Sequence, residues 1–310
     1  MPDLDGTGID RGALERYIAE QIYSLPGTDR HREEFTVLLT GSRAMGTHTP
    51  CSDVDIDVVC SQAVYEAVHR ASVEAGIIKS PTSFFLILGG DDYHKYFGDE
   101  CSRPHFSITP IETVERQFRD HEDVPLWIWT NAQVIADPHG RFSRITEGFW
   151  GYPKDVLIGK LKYRWMLAWY WAIEVYPHHS TKDTDLLPAA SALLNTVNEL
   201  LKFFFLAEGR PFPYTEKLMP LSLTTKLGAE FHPKLQRTVD LVIAKAEPHL
   251  LPWERLKLAF DLLAGAETPV DDLEQAGYKA LLAAGVDPQW VEADYENIDE
   301  LLYGKLGPVP

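Results

Sequence analysis

Two periods of apolar residues alternate along this chain. Near the start, Leu14, Tyr17, Ile18, Ile22 and Tyr23 recur at helical spacing, which predicts an amphipathic helix over 11–25, ended by Pro26-Gly27. Short apolar runs follow at Phe35 to Thr40, Val54 to Cys60, Ser83 to Leu88 and His105 to Thr109, each bounded by Gly, Pro or polar residues, and these read as strands. Between and after them, 62–75 (with Val64, Val68 and Val73 as anchors) and 112–120 read as helices, while 91–100 reads as a loop. Trp127 and Trp129 sit on a helical turn that leads to Val134-Ile135 and then to a turn at Asp137-Pro138-His139-Gly140. From Pro153 onward the period is helical throughout, with helices expected over 156–175, 186–208, 235–246, 253–264, 270–284 and 298–302. The first two of these are joined by a loop carrying His178-His179. Strands in the first half and helices alone in the second predict an α+β chain with an all-α C-terminal domain.

The densest chemistry lies in 39–60, LTGSRAMGTHTPCSDVDIDVVC. Acids occupy alternate positions here, at Asp53, Asp55 and Asp57, and side chains two apart on a strand share a face. Adjacent carboxylates repel unless a cation neutralises them. Mg2+ takes oxygen ligands and commonly also holds substrate phosphates. Upstream, Gly41-Ser42 sits where a glycine turn brings backbone N–H groups close to a polyphosphate.

Composition narrows the partners. The net charge of −17, from 46 acids against 29 bases, disfavours a nucleic-acid backbone, whose binding rests on cationic contacts. It suits a cationic small molecule, or simply keeps the protein in solution. Hydrophobic residues make up 45% of the chain, ample for a core, but no apolar run has the length of a membrane span. The acidic start Met-Pro-Asp-Leu-Asp-Gly does not read as a secretory signal. Cys51, Cys60 and Cys101 are too scattered for a disulfide framework and read as free thiols in a reducing cytoplasm. The aromatic run Tyr163, Trp165, Trp169, Tyr170, Trp171 reads as a packed helical core, with a substrate platform as the alternative.

Gly41, Ser42, Gly46, Ser52, Asp53 and Asp55, flanked by expected strands, resemble the signature of the DNA polymerase β-like nucleotidyltransferase superfamily. The Asp137 to Gly140 turn, Tyr152-Pro-Lys-Asp-Val156 and Arg210-Pro-Phe-Pro-Tyr-Thr-Glu-Lys217 are similar to a bacterial branch with a helical C-terminal domain like that of aminoglycoside nucleotidyltransferases. The resemblance implies a mixed-sheet catalytic domain over 1–148 and a helical domain over 149–310 that completes the nucleotide and substrate cleft. It implies transfer of an NMP, with ATP the commonest donor, to a hydroxyl of a small molecule such as an antibiotic, releasing pyrophosphate. Asp53 and Asp55 would hold Mg2+, two ions in the usual arrangement. Gly41, Ser42, Arg43, Gly46 and Ser52 would cradle phosphates, and Lys217 would bind the triphosphate. The superfamily's third carboxylate is missing from the His105 to Thr109 strand. Asp57 completing the cluster, Glu112 reaching in from the strand end, and a site with its base replaced, for instance by His105, remain open. Nucleotidylation of a protein or tRNA, and a nucleotide sensor with weakened catalysis, are the competing functions. The nucleotide and the oligomeric state are left undetermined.

Overall fold

The computed structural model describes residues 6–79, 85–87, 94–97, 103–180, 186–264 and 272–302. The expected loop over 91–100 is described only where it forms a short helix, and the outer residues of the expected strand at 83–88 lie outside the described residues, as does Cys101. The chain divides into two units, Met1–Trp150 and Gly151–Pro310. The fold is α+β.

In the first unit, helix α1 (Arg11–Tyr17) leads through a π-helical turn (Ile18–Ile22) to strand β1 (Thr36–Thr40). Helix α2 (Gly41–Ala44), strand β2 (Val54–Cys60) and helix α3 (Gln62–Glu74) follow, then strand β3 (Phe85–Ile87) and helix α4 (His94–Phe97). Strand β4 (Pro104–Pro110), helices α5 (Ile111–Arg119) and α6 (Asp123–Thr130), strand β5 (Gln133–Ala136) and helix α7 (Arg141–Glu147) complete it. The strands form one mixed sheet in the order β3-β4-β2-β1-β5, in which only β2 and β4 run parallel.

Strand periodicity sorts the core into two layers. Val37, Leu39, Val54, Ile56, Val58 and Phe106 face α1 and α3, meeting Leu14, Tyr17, Val64 and Val68. Leu38 and Val59 project from the other face onto Ile111, Val114, Trp129 and Phe142 of α5, α6 and α7. That second face is apolar only at one end. At the other end Thr40, Asp55, Asp57, His105 and Ser107 share it, as the pairings Thr40↔Asp55, Asp55↔His105 and Asp57↔Ser107 require.

Local chemistry explains most boundaries. Asp10 caps α1 by accepting from Ala13 N–H at 2.7 Å, and Ser61 does the same for α3 through Val64 N–H. The single helix expected over 11–25 departs from α geometry after Tyr17, where Tyr23 N–H donates five residues back to Ile18. The wider turn keeps Ile18 and Ile22 in the core.

Asp137 fastens β5 to its neighbours. Its Oδ1 accepts from Thr36 Oγ1 at 2.8 Å, and its Oδ2 accepts from Ser143 N–H at 2.9 Å and Ser143 Oγ at 2.8 Å. Burial pushes this carboxyl up, but the hydrogen bonds from Ser143 and Thr36 outweigh it and hold the group below its usual range. A depressed folded-state pKa contributes stability above the unfolded value, and that contribution fades as pH falls through the folded value. Asp137→Ala is therefore expected to lower stability by about 2 kcal/mol at neutral pH. Urea unfolding checks this, and the gap between variant and wild type should shrink in acid.

Every regular element among the described residues of the second unit is a helix. Helix α8 (Lys154–Trp169) continues through a π-helical stretch (Tyr170–Val175) into α9 (Tyr176–Ser180). Then come α10 (Leu186–Leu206), α11 (Thr215–Ser222), α12 (Lys226–Val242), α13 (Pro252–Ala264), α14 (Asp272–Ala284), α15 (Pro288–Ala293) and α16 (Ile298–Leu302). The expected loop at His178-His179 is instead helical, since α9 continues directly from the π-helical stretch, with Tyr176 in αR geometry at the junction. Helix α12 starts nearer the N-terminus than the expected 235–246 because Thr225 caps it, accepting from Gly228 N–H at 3.0 Å. Gly228 and Pro233 lie inside it. Trp165 and Trp169 are buried, with Trp165 against Phe203 and Tyr278. Gly277 leaves room for the Trp165 ring, so this part of the aromatic run is core. Buried Glu199 is paired with Arg164 at 2.9 Å and Lys202 at 2.6 Å. No helix among the described residues is long and apolar enough to cross a membrane.

Candidate active site at the polar end of the sheet

The site begins with a backbone requirement. Thr40 ends β1, and Gly41 turns the chain into α2 with φ +68°. Only glycine takes that conformation freely. A Cβ at Gly41 would also overlap the Asp55 carboxylate, lying 3.0 Å from its Cγ. The Gly41 turn and the Asp55 side chain are thus packed together, a contact between two halves of the motif. Gly46 is likewise left-handed, with φ +66°, and its N–H donates to Arg43 O at 3.2 Å.

Asp53 stands just before β2 and Asp55 lies in it, with their side chains 44% and 37% exposed. His105 of β4 lies beside both. Its Nε2 is 3.9 Å from an Asp53 oxygen and its Nδ1 is 3.8 Å from an Asp55 oxygen. The register explains this, because His105 is the β4 residue opposite Asp55.

Asp57 shares the face of Asp55 but is engaged differently. Its Oδ2 accepts from Thr40 Oγ1 at 2.7 Å and its Oδ1 accepts from Ser107 Oγ. Burial pushes its carboxyl up, against the pull of the Ser107 and Thr40 hydroxyls. Both oxygens thus take part in cross-strand bonds, through which Asp57 joins β1, β2 and β4. Glu112 does not reach the acids either. It accepts from Gln62 N–H at 3.0 Å, beyond the Cys60↔Pro110 end of the β2–β4 pairing. Five residue steps along the strand separate that end from the Asp55↔His105 pair, roughly 16 Å.

Arg43 is held by backbone carbonyls. Its guanidinium is buried and donates to the carbonyls of Thr7, Ser52 and Asp53, at 3.4 Å, 2.9 Å and 3.2 Å. A fork of fixed N–H donors suits this clamp, which ties the segment before α1 and the acid-bearing loop to α2. This backbone role stands beside the phosphate contact that the resemblance implies for Arg43. Arg43→Met is expected to cost about 3 kcal/mol, since it strands buried carbonyls, with the melting temperature as the check. Ser52 closes its own turn, its Oγ accepting from Thr49 N–H at 2.8 Å. Ser42 is buried in α2, and its carbonyl accepts from Thr47 N–H at 2.9 Å. Lys217 lies in the first turn of α11 in the second unit, half-buried, its N–H donating to Tyr214 O at 3.0 Å.

The donor set suits a hard divalent cation in part. Two half-exposed carboxylates offer oxygen ligands of the kind Mg2+ accepts, and such sites commonly use one or two carboxylates plus substrate phosphates. Among the described residues no group of three His, Cys, Asp or Glu side chains is placed to hold a metal ion. Sequence reasoning gave neither Thr40 nor Ser107 a role. Both are revealed as partners of Asp57 by strand pairing, which no local pattern encodes.

A family model described as a domain of unknown function, DUF4037, matches residues 119–217, less than half of the chain and outside the 39–60 stretch. No curated protein matches the chain. Among solved structures, the chain is similar to a nucleotidyltransferase-like protein from Exiguobacterium sibiricum 255-15 at 8% identity, with a TM-score of 0.43. That match covers 95% of this chain and 91% of the other, and at this TM-score it carries no argument about activity.

Proposed function

We propose that this protein is a metal-dependent nucleotidyltransferase that moves an NMP from an NTP, ATP being the first candidate, to a hydroxyl of a small molecule. The observation that carries the reading is the packing of the Gly41 turn against the Asp55 carboxylate, with Asp53 alongside the same histidine. A glycine turn able to admit phosphate and a pair of acids able to hold its counter-cation are what in-line phosphoryl chemistry needs.

Asp53 and Asp55 would hold the divalent cation, which when bound neutralises phosphate charge and orients the phosphates. Gly41 leaves Asp55 the space it occupies, and Arg43 holds the carbonyl of Asp53 in place. In the reaction, the acceptor oxygen forms a bond to the α-phosphorus. The bond from that phosphorus to the bridging oxygen breaks, pyrophosphate leaves with the electron pair, and the acceptor proton passes to solvent or a nearby carboxylate. Lys217 carries a charge suited to a polyphosphate. Its part rests on the resemblance of its loop, and nucleotide affinity of Lys217→Ala measures it.

The test is calorimetry with non-hydrolysable ATP, GTP, CTP and UTP analogues and Mg2+, followed by transfer of α-labelled nucleotide to panels of hydroxylated small molecules, proteins and tRNA. The expected result is metal-dependent binding of one analogue and pyrophosphate release with a small-molecule acceptor. Binding of none of the four overturns the reading, and label on protein or tRNA instead overturns the acceptor class.

A further inference from the structure

Helix α10 is apolar along most of its length, yet it carries Glu199 and Lys202 one turn apart on the same face. Glu199 is buried. Its Oε2 accepts from Arg164 of α8 at 2.9 Å and its Oε1 from Lys202 at 2.6 Å, so one carboxylate holds two cations. Both cations also meet one ring. The Arg164 guanidinium lies 5.1 Å, and the Lys202 ammonium 5.8 Å, from the centre of the buried Phe212 ring. Cations this close to an aromatic face are attracted by the ring quadrupole.

Buried ions are a poor source of stability, because desolvation offsets their attraction, but a group of this kind can fix geometry. Here it fixes the loop between α10 and α11. Phe212 stands between Pro211 and Pro213, whose rings restrict the backbone on either side. The same loop is tied a second time at Arg210, which donates to Thr224 O at 3.1 Å and to Thr224 Oγ1 at 3.2 Å, just past the end of α11. Both approaches to α11 are therefore anchored, and its first turn carries Lys217.

We propose that Arg164, Glu199, Lys202 and Phe212 are positioning residues for Lys217. Glu199 holds the two cations, the cations pin the Phe212 ring, and the ring sets where α11 presents its lysine to a polyphosphate. The inference rests on the nucleotidyltransferase reading and adds the residues through which Lys217 acts. A lysine is a point charge on a flexible stem, so its pull on a phosphate depends on where the helix that carries it is held.

The test is a double-mutant cycle on the full chain, read as affinity for Mg2+ with each of the non-hydrolysable ATP, GTP, CTP and UTP analogues. Phe212→Leu keeps an apolar side chain. Arg164→Met keeps an unbranched stem and leaves Glu199 its bond from Lys202. Lys202→Met, at a side chain 19% exposed, is a milder third change. Each is expected to weaken binding of the accepted analogue about tenfold. In a Lys217→Ala background the same changes should cost less than about twofold, because the group they position is gone. Circular dichroism and thermal melts select the folded variants. Equal losses in both backgrounds overturn the proposal and leave the cluster as packing alone. Unchanged affinity in the folded variants, or in Lys217→Ala itself, overturns it too. Absence of any analogue binding in wild type overturns the nucleotidyltransferase reading itself, so the two failures are distinct.

Discussion

Asp53→Asn and Asp55→Asn are each expected to lower nucleotide transfer by at least about a thousandfold while leaving the fold intact. Each change keeps the shape of the side chain but removes the negative charge that binds a cation. The fold should tolerate it, because both side chains are over a third exposed at the edge of the core. Relieving the repulsion between two neighbouring acids should hold or slightly raise the melting temperature. The discriminating measurement pairs the transfer rate with a thermal melt. Full activity in either variant would remove the metal assignment, whereas lost activity with a collapsed melt would make the acids structural.

Gly41→Ala is expected to produce the second largest loss, about a hundredfold in transfer rate. Two effects act together. A left-handed φ of +68° costs a residue with a side chain roughly 1–2 kcal/mol. The new methyl would also meet the Asp55 carboxylate, so either the turn or the acid must shift. A displacement near 1 Å at reacting groups suffices for that loss. Mg2+-dependent affinity for the nucleotide analogue should fall together with the rate. If the turn served folding alone, Gly41→Ala would lower the melting temperature and leave the turnover of the folded fraction unchanged.

The strands were legible because β2 and β4 carry strict alternation, buried at Val54, Ile56 and Val58 and half-buried at Asp55 and Asp57. The Gly-Ser turn was legible because a left-handed position after a strand selects glycine. Helix limits in the second unit were harder to read. Gly228 and Pro233 look like breakers, yet α12 accommodates both, because the Thr225 cap and burial of Phe231 and Leu235 outweigh local propensity. The surroundings of Arg43 were hidden for a related reason. A basic residue in a glycine-rich turn suggests a phosphate ligand, but its role follows from the carbonyls of Thr7, Ser52 and Asp53, two of which belong to a loop and one to a distant segment.

The sequence by itself determined the α+β class, the strand–turn–strand frame and the shared face of Asp55 and Asp57, since these depend on local periodicity and glycine chemistry. The tertiary structure decided which residues those acids meet. Parallel pairing of β2 with β4 sets His105 opposite Asp55 and Ser107 opposite Asp57, and a one-residue slip would reverse both. That register joins two strands separated in the chain by α3, β3 and α4, so no window of sequence around the acids contains it.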